Sequence, residues 1–376
     1  MSTSYSSYII DGSRQAAVRS LAPILYIQGM IYRAGVRLRN HAFDAGFIPA
    51  RSLMLPTVSV GNIMLGGTGK TPFVIYLAGL LKEMGCETAI LTRGYGRDKP
   101  GKNIILTPGE NADSSAFRLG DEPALIRRSL PEAWLGISSD RFYAASAITR
   151  NDKRANRMVF ILDDGFQRRD VHRDLDIVMI DSAQSPGHER LFPVGRLREP
   201  PTELRRARII VINGTKSSDA GETQIANFEA IVENLRKYAP EADFFRCVQR
   251  IRMVLPFSDW LDFKTPQDLP AHLPGAAFLV AAIGNPDRFK QDVLNLGIEI
   301  RGCAFFRDHA VIGNKDWDKC VKEARKAKSD AIIITEKDAV KISSPPVFPL
   351  MVAVQSTELA EAARFYKILC STITGI

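Results

Sequence analysis

Two patterns of apolar and polar positions alternate along the chain, short apolar runs and longer segments with helical spacing. The first run, Leu53–Val60, predicts a buried strand, and the apolar positions from Phe73 to Met84 predict a helix that ends at Gly85. Further strands are predicted at Glu87–Thr92, Met158–Leu162, Asp176–Asp181 and Arg208–Asn213. Helical segments between such strands require crossover connections, which pair the strands in parallel. We therefore predict an α/β fold with a mostly parallel, twisted sheet flanked by helices.

The same alternation resumes in the last third of the chain, after a shift over 240–256 in which short strand-like segments such as Phe244–Val248 precede a loop rich in Pro, Asp and Leu. It predicts strands at Ala276–Ile283, Glu299–Phe305, Ala331–Thr335 and Leu350–Val354, and helices at Asp287–Leu296 and Lys315–Lys328. We predict four parts: an N-terminal segment over 1–40, a first α/β domain over 41–243, a smaller α/β domain over 244–356 and a C-terminal helix over 357–376.

A glycine-rich turn separates the first predicted strand from its helix. The backbone N–H groups of such a turn surround phosphate oxygens, while a lysine reaches the outer phosphates and a following hydroxyl binds Mg²⁺. The usual pattern has glycine at position 64, where this chain has Met64. An incidental glycine-rich turn is the alternative. The turn predicts a P-loop NTPase-like site for a nucleoside triphosphate at Gly66, Gly67, Thr68, Gly69, Lys70 and Thr71.

Two adjacent carboxylates, Asp163 and Asp164, follow the strongly apolar run at 158–162. A P-loop enzyme places its magnesium-binding or water-positioning acid at such a strand end. Side by side, the two carboxylates repel one another unless a cation is present. The alternative interpretation is a polar pair that opens a turn.

Candidates for proton transfer lie in two other segments. Asp121, in an acidic turn before a helix that is predicted to begin near Ala124, is expected from spacing alone to cap that helix. His309 follows Asp308, and a neighbouring carboxylate can orient a histidine for proton transfer. A packing or surface role is the alternative for His309.

Charge and composition restrict the partners. The chain has 376 residues, a formal net charge of +8 and a pI of about 9.2, which favours nucleic acid, phospholipid headgroups or a phosphorylated substrate. The proline-rich segment at 192–201 carries Arg196 and Arg198, and rigid arginines suit phosphate recognition unless they only form a solvated basic face. Since no nucleic-acid reader module accompanies the charge, nucleic acid is not expected. The five widely spaced cysteines predict reduced thiols in a cytosolic compartment.

The N-terminal segment alternates basic and apolar residues and has no acidic residue between Asp11 and Asp44. Its uninterrupted apolar part is shorter than the roughly 20 residues that a spanning helix needs. No secretory signal is recognisable. We predict a helix that lies in a membrane interface, with arginines at anionic headgroups. An amphipathic helix packed on the domain is the alternative.

Eight motifs in order along the chain resemble one family. They are GNIMLGGTGKTP at 61–72, LTRGYGR at 91–97, GDEP at 120–123, LDDGFQ at 162–167, GRLREP at 195–200, IGNPDRF at 283–289, FRDH at 306–309 and TEKDAVK at 335–341. The set is similar to that of the tetraacyldisaccharide 4'-kinases, the lipid A kinases of Gram-negative bacteria.

This resemblance implies ATP-dependent and Mg²⁺-dependent phosphorylation of the 4'-hydroxyl of a tetraacyl glucosamine disaccharide 1-phosphate, which forms lipid IVA. It implies a monomer, peripheral at the cytoplasmic face of the bacterial inner membrane. By this resemblance, Asp121 is the base that takes the acceptor proton, and His309 supports it. This role replaces the interpretation of Asp121 as a helix cap. Lys70 and Thr71 contact the ATP phosphates and the metal. Other implied roles are metal or nucleotide contacts for Asp163, Asp164, Gln167 and Glu199, and substrate or phosphate contacts for Arg93, Tyr95 and Arg198.

A second hypothesis is a P-loop regulatory or chaperone-type NTPase whose basic surface binds a partner. Hydrolysis without an acceptor distinguishes it from a kinase.

Overall fold

The computed structural model describes residues 12–99, 101–110, 116–152, 157–184, 186–214, 222–262 and 273–373. The strands are β1 (Thr57–Gly61), β2 (Glu87–Thr92), β3 (Ile104–Leu106), β4 (Trp134–Ile137), β5 (Met158–Asp163), β6 (Leu175–Asp181), β7 (Ile209–Asn213), β8 (Asp243–Pro256), β9 (Ala276–Ala281), β10 (Glu299–Phe305), β11 (Ala331–Thr335) and β12 (Leu350–Leu359). The helices are α1 (Gly12–Asp44), α2 (Lys70–Glu83), α3 (Ala116–Leu119), α4 (Asp121–Ser129), α5 (Arg141–Asn151), α6 (Glu222–Arg236), α7 (Phe257–Leu261), α8 (Pro286–Leu294), α9 (Asn314–Lys326), α10 (Glu336–Ala339) and α11 (Ala362–Ile373). Short 3₁₀ helices lie at Pro186–His188 and Pro201–Arg206.

The predicted fold class is confirmed, because the described strands belong to a mixed, mostly parallel sheet of twelve strands. β1, β5, β6 and β7 are buried along their whole length, as expected for parallel strands covered on both faces. Most predicted strands and helices differ from the observed ones by one to four residues at their ends.

Other differences concern single elements, and β12 extends to Leu359 instead of ending at Val354. The three-residue strand β3, antiparallel to β4, has too few residues for a periodic signal and was not predicted. β8 runs to Pro256 instead of ending near Val248, since its second half is half-buried and alternates. α4 begins at Asp121 instead of near Ala124.

The chain divides into two compact units, each made of separate stretches of sequence. Unit 1 consists of residues 1–70, 161–248 and 359–376. Within it, β1 pairs with β6, β6 with β7, and β7 with the first half of β8, all in parallel. Its core includes Phe166, Val178, Ile210 and Phe244, and these strands carry the turn that follows β1.

Unit 2 consists of residues 71–160 and 249–358. β2 pairs in parallel with β4, and β9 pairs in parallel with both β10 and β11, while β11 also pairs with β12. A core around Phe278, Ile332 and Val352 supports the strand ends from which the loops at 282–285 and 306–313 leave. The predicted boundaries at 40, 243 and 356 stay predictions.

The long helix α1 has two different faces over its described side chains. Tyr32 and Asn40 face the rest of unit 1, to which α1 itself belongs. The Tyr32 hydroxyl donates to the Arg198 carbonyl at 2.8 Å, and Asn40 is buried. Ile27, Ile31 and Leu38, which share the opposite face at helical spacing, are 52%, 68% and 72% exposed. Within the described part of the chain, none of the helices combines the length and apolar character needed to cross a bilayer.

Candidate active site

The glycine-rich turn joins the end of β1 to the first residue of α2, Lys70. Gly66 and Gly69 have φ angles of 113° and 83°, which side chains other than glycine rarely adopt. A helix N-terminus presents unpaired N–H groups and a partial positive charge, so the turn and Lys70 have the chemistry that the predicted phosphate contacts need.

The packing of the Met64 side chain explains why position 64 is not the glycine of the usual pattern. Its side chain is fully buried in the core of unit 1, beside Phe166 and Leu197. Its backbone forms an isolated bridge with Leu197, and the neighbouring Leu65 N–H donates to the Arg196 carbonyl at 2.7 Å. Position 64 therefore anchors the turn to the segment at 195–199, a role that needs an apolar side chain.

Two asparagines that sequence reasoning missed hold Thr68 in place. The Asn62 amide donates to the Thr68 hydroxyl at 3.1 Å, and the Asn213 amide donates to the Thr68 carbonyl at 3.1 Å. Both asparagines are buried and lie at or just beyond the ends of strands, β1 and β7. The sequence signal that could have identified these residues is an asparagine at the carboxyl end of a strand next to the phosphate loop.

Asp164 is paired with two cations at the end of β5. Lys70 Nζ lies 3.3 Å from Asp164 Oδ1, and Arg198 Nη1 lies 2.7 Å from Asp164 Oδ2. Burial raises the pKa of Asp164, but Lys70 and Arg198 outweigh it and lower the pKa to about 2. The backbone of Asp164 has a φ of 53°, a left-handed conformation directly after the end of β5. Asp163 itself is buried.

Gln167 lies beside this ion cluster. Its Oε1 atom accepts from Arg198 Nη1 at 3.3 Å, and its Nε2 atom donates to the Asn62 carbonyl at 2.8 Å. Arg39 of α1 also donates to the Gln167 carbonyl. Four predicted residues, Lys70, Asp164, Gln167 and Arg198, are thus brought together in unit 1.

Glu199 belongs to a separate buried cluster in the same unit. One carboxylate oxygen pairs with Arg206, and the other lies 3.5 Å from the Asn40 amide and 3.8 Å from Arg39 Nη1. Arg206 also donates to the Phe166 carbonyl at 3.0 Å. These contacts tie α1 to the segment that carries Arg198, and the metal contact of Glu199 stays a prediction.

The predicted metal ligands carry the oxygen atoms that a magnesium ion prefers. Mg²⁺ prefers carboxylate, hydroxyl and phosphate oxygens and is bound in nucleotide enzymes through one or two protein ligands. Asp163 supplies a buried carboxylate, and the Thr71 hydroxyl follows Lys70 in α2. Over the described ranges, no group of three or more His, Cys, Asp or Glu side chains forms a dedicated metal cage.

In unit 2, His309 Nδ1 lies 3.1 Å from Asp121 Oδ2. Gly120, with a φ of 94°, is the residue that precedes α4, so Asp121 does not cap the helix as spacing alone predicted. A Cβ atom at Gly120 would lie 2.5 Å from the Tyr95 carbonyl oxygen, which explains the glycine. Asp121 therefore directs its carboxylate at His309.

The hydrogen bond to His309 and two lysine charges lower the pKa of Asp121. Lys341, which is almost fully buried, has its Nζ atom 3.6 Å from Asp121 Oδ2 and 2.9 Å from Asp338 Oδ1. Burial raises the pKa of Asp121, but the hydrogen bond to His309 and the charges of Lys341 and Lys337 hold the pKa below its ordinary value of 3.8. The motif TEKDAVK contained these two lysines, but neither was predicted as a site residue.

The loop after β2 carries the predicted substrate contacts of unit 2. The Tyr95 ring meets the His309 ring edge to face, with 5.7 Å between centroids, and Tyr95 is 71% exposed. Gly94 has a φ of 68°, and a Cβ atom there would lie 2.4 Å from Ile137 Cγ2. Arg93 is exposed. The positive φ and the close approach explain the glycine that precedes Tyr95.

Comparison with known proteins gives one consistent result. A family model described as LpxK, tetraacyldisaccharide-1-P 4'-kinase, matches residues 21–374. A tetraacyldisaccharide 4'-kinase from Syntrophus aciditrophicus is 37% identical over 331 residues, covering 86% of this chain and 84% of the relative. Its counterpart from Geobacter metallireducens is 33% identical over 324 residues, covering 86% of this chain and 89% of the relative.

A solved structure is similar over nearly the whole chain. It is the crystal structure of LpxK from Aquifex aeolicus in complex with ATP, with a TM-score of 0.70 and 28% sequence identity. The match covers 94% of this chain and 99% of that chain.

Proposed function

Because this chain belongs to the tetraacyldisaccharide 4'-kinase family, we propose that it transfers the γ-phosphate of ATP to the 4'-hydroxyl of a tetraacyldisaccharide 1-phosphate in lipid A biosynthesis. The observation that carries the proposal is the phosphate loop that ends at Lys70, the first residue of α2. Within a family of kinases, this loop supports a donor site at the start of α2.

The backbone N–H groups of Gly66, Gly67, Thr68 and Gly69 donate hydrogen bonds to the ATP phosphates. Lys70 compensates charge on the outer phosphates, a purely electrostatic contribution that needs no proton transfer. The likeness to a structure in complex with ATP supports this donor. Gln167 and Arg198 belong to the same site through their hydrogen bond, and Asp164 keeps Lys70 and Arg198 close together.

Thr71 would hold Mg²⁺ together with Asp163 or Asp164. A bound Mg²⁺ neutralises charge that develops on the transferring phosphate. Asp164 has two cationic partners in Lys70 and Arg198, and Asp163, the last residue of β5, is buried. Both carboxylates stay candidates for the direct ligand.

Asp121 accepts the proton of the acceptor hydroxyl. Its lowered pKa keeps it ionised at neutral pH, and His309 orients the carboxylate by a hydrogen bond to Oδ2. Transfer of a phosphoryl group passes through a loose transition state, so the base is needed mainly as the O–P bond forms. Tyr95, exposed beside His309, and Arg93 contact the disaccharide or its phosphate.

The enzyme associates with the cytoplasmic face of the inner membrane through α1. The exposed face formed by Ile27, Ile31 and Leu38 supports this, as do the exposed Arg33 and Arg37 and the net charge of +8. An apolar helical face flanked by arginines suits an anionic bilayer surface. A lipid-borne acceptor requires access to such a surface.

Incubation of the purified protein with γ-³²P-labelled ATP and the disaccharide 1-phosphate in detergent micelles tests the activity. We expect label in the lipid, lost when the acceptor lacks its 4'-hydroxyl. Release of labelled phosphate at the same rate with and without acceptor, and no labelled lipid, refutes the kinase and favours a regulatory NTPase.

A further inference from the structure

Lys337 of α10 approaches the nitrogen of His309 that does not face Asp121. We propose that Lys337 is a positioning residue that fixes the tautomer of His309, so that Nδ1 carries the proton and donates it to the Asp121 carboxylate. The effect on rate rests on the proposed kinase function, whereas the tautomer itself does not depend on it.

The contacts define the tautomer. Lys337 Nζ lies 3.3 Å from His309 Nε2, and His309 Nδ1 lies 3.1 Å from Asp121 Oδ2. A lysine ammonium has three N–H donors and no acceptor, so a favourable contact requires a lone pair on Nε2. In a neutral imidazole with the lone pair on Nε2, the proton is on Nδ1. A carboxylate is the acceptor that this proton needs.

Asp308 is the competing partner for Nε2, and the distances decide against it. Its Oδ2 atom lies 3.8 Å from His309 Nε2, too far for a hydrogen bond. Its Oδ1 atom instead lies 3.2 Å from Lys337 Nζ. Asp308 therefore anchors the lysine, and the lysine contacts the imidazole.

The backbone holds α10 and the His309 loop together. Thr335 caps α10 by accepting from the Asp338 N–H at 3.2 Å, and Asp338 accepts from the Ala282 N–H at 3.1 Å. On the other side, the His309 N–H donates to the Ala282 carbonyl at 3.3 Å. Both partners are thus fixed to the end of β9, which gives Lys337 a defined distance from the imidazole.

The loop that carries His309 is fixed in a second way. Lys341 donates to the Ala310 carbonyl at 3.1 Å, one residue beyond His309. His309 has a φ of 63°, a conformation that a non-glycine residue adopts only when its surroundings enforce it. The strain is consistent with a side chain held in one orientation between Lys337 and Asp121.

The tautomer has a direct consequence for the reaction. His309 and Lys341 both approach Oδ2 of Asp121, which directs the acceptor hydroxyl to Oδ1. In the step, the acceptor O–H bond breaks and its proton moves to Oδ1, while the new O–P bond forms and the bond from phosphorus to ADP breaks. His309 keeps its Nδ1 proton throughout. With the opposite tautomer, a nitrogen lone pair would face the carboxylate, and the pair would repel.

Nitrogen NMR of the full chain labelled with ¹⁵N-histidine tests the proposal without substrate. The signals of His309 are assigned by their loss in His309→Gln, and the two-bond couplings to the ring protons identify which nitrogen bears hydrogen. We expect Nδ1–H in the wild type, a shift toward Nε2–H in Lys337→Met, and Nδ1–H again in Lys337→Arg, which keeps a donor-only side chain. Lys319→Met, the same change at a lysine whose side chain is 78% exposed, serves as the control.

Kinetics provide the second readout. Lys337→Met is expected to lower kcat at least about tenfold with the KM for ATP unchanged, and Lys337→Arg to recover most of the loss. An Nε2–H tautomer in the wild type overturns the proposal, and this result requires no variant to fold. An unchanged Nδ1–H tautomer in a folded Lys337→Met protein also overturns it. If the tautomer follows Lys337 but no lipid is labelled, the positioning role stands and the kinase function fails.

Discussion

His309 Nδ1 lies 3.1 Å from Asp121 Oδ2, although 188 positions separate the two residues in the chain. Asp121 begins α4, and His309 lies in the loop after β10. Lys341 approaches the same carboxylate oxygen at 3.6 Å. The pair combines a carboxylate of lowered pKa with an imidazole at hydrogen-bond distance, the arrangement that the proposed proton transfer from the acceptor hydroxyl uses.

Asp121→Asn is expected to lower kcat by about two orders of magnitude or more, because the amide cannot accept the acceptor proton. The affinity for ATP, measured by titration calorimetry, should stay within about threefold, since Asp121 is not part of the phosphate loop. Glu122→Gln removes the adjacent carboxylate and should leave kcat nearly unchanged. Equal losses in both variants would assign the effect to the charge of the α4 terminus instead.

Gly66→Ala should weaken ATP binding about tenfold or more. The φ of 113° at Gly66 is unfavourable for alanine by about 1–3 kcal/mol, and this backbone strain carries the effect, because the nearest atom to the new Cβ, Arg196 Nη2 at 2.6 Å, ends a flexible side chain that can move. Gly67→Ala is the matched control, because a Cβ atom there meets no atom within 4 Å. Calorimetric titration with ATP checks both variants; similar affinities would show that the loop relaxes at no cost.

Asp164→Asn should lower stability at neutral pH but not in acid. The pKa of Asp164 falls from its ordinary value of 3.8 to about 2 on folding, so the carboxylate stabilises the fold above about pH 4 and loses this effect between pH 4 and pH 2. The difference corresponds to about 2.5 kcal/mol, which solvent screening reduces to about 1 kcal/mol for a side chain that is 40% exposed.

Urea unfolding of both proteins from pH 7 to pH 3 measures this difference. The difference in the free energy of unfolding between the wild type and Asp164→Asn should become smaller as the pH falls. A difference in the free energy of unfolding that stays constant from pH 7 to pH 3 would mean that Lys70 and Arg198 do not stabilise the charged form of Asp164.

Replacement of Ile27, Ile31 and Leu38 together by serine should reduce binding to anionic phospholipid vesicles about 100-fold, because each exposed side chain loses transfer into the acyl boundary. Vesicle sedimentation measures the partition. A matched triple serine variant at Leu261, Leu294 and Val347, three exposed apolar positions of unit 2, should bind as the wild type does. If both triple variants bind alike, α1 is not the membrane contact.

Local patterns were sufficient for most of the fold. The strand before the phosphate loop, the helix that begins at Lys70 and the acidic pair at the end of β5 all follow from apolar runs, glycines and strand ends read along the sequence. These features depend on neighbours within about ten residues. Asp121 shows the limit, because local spacing predicted a helix cap, whereas the structure makes Gly120 the preceding residue and points the Asp121 carboxylate at His309.

The sequence by itself determined the α/β class, the phosphate loop and, through its motifs, the family. Only the tertiary structure decided which side chains meet: Lys70 with Asp164, Asn213 with Thr68, and Lys337 with His309. The physical reason is that backbone periodicity is a local property, whereas hydrogen bonds and ion pairs between distant segments depend on strand order and loop paths. A buried charge needs a partner, but the sequence does not say which residue supplies it.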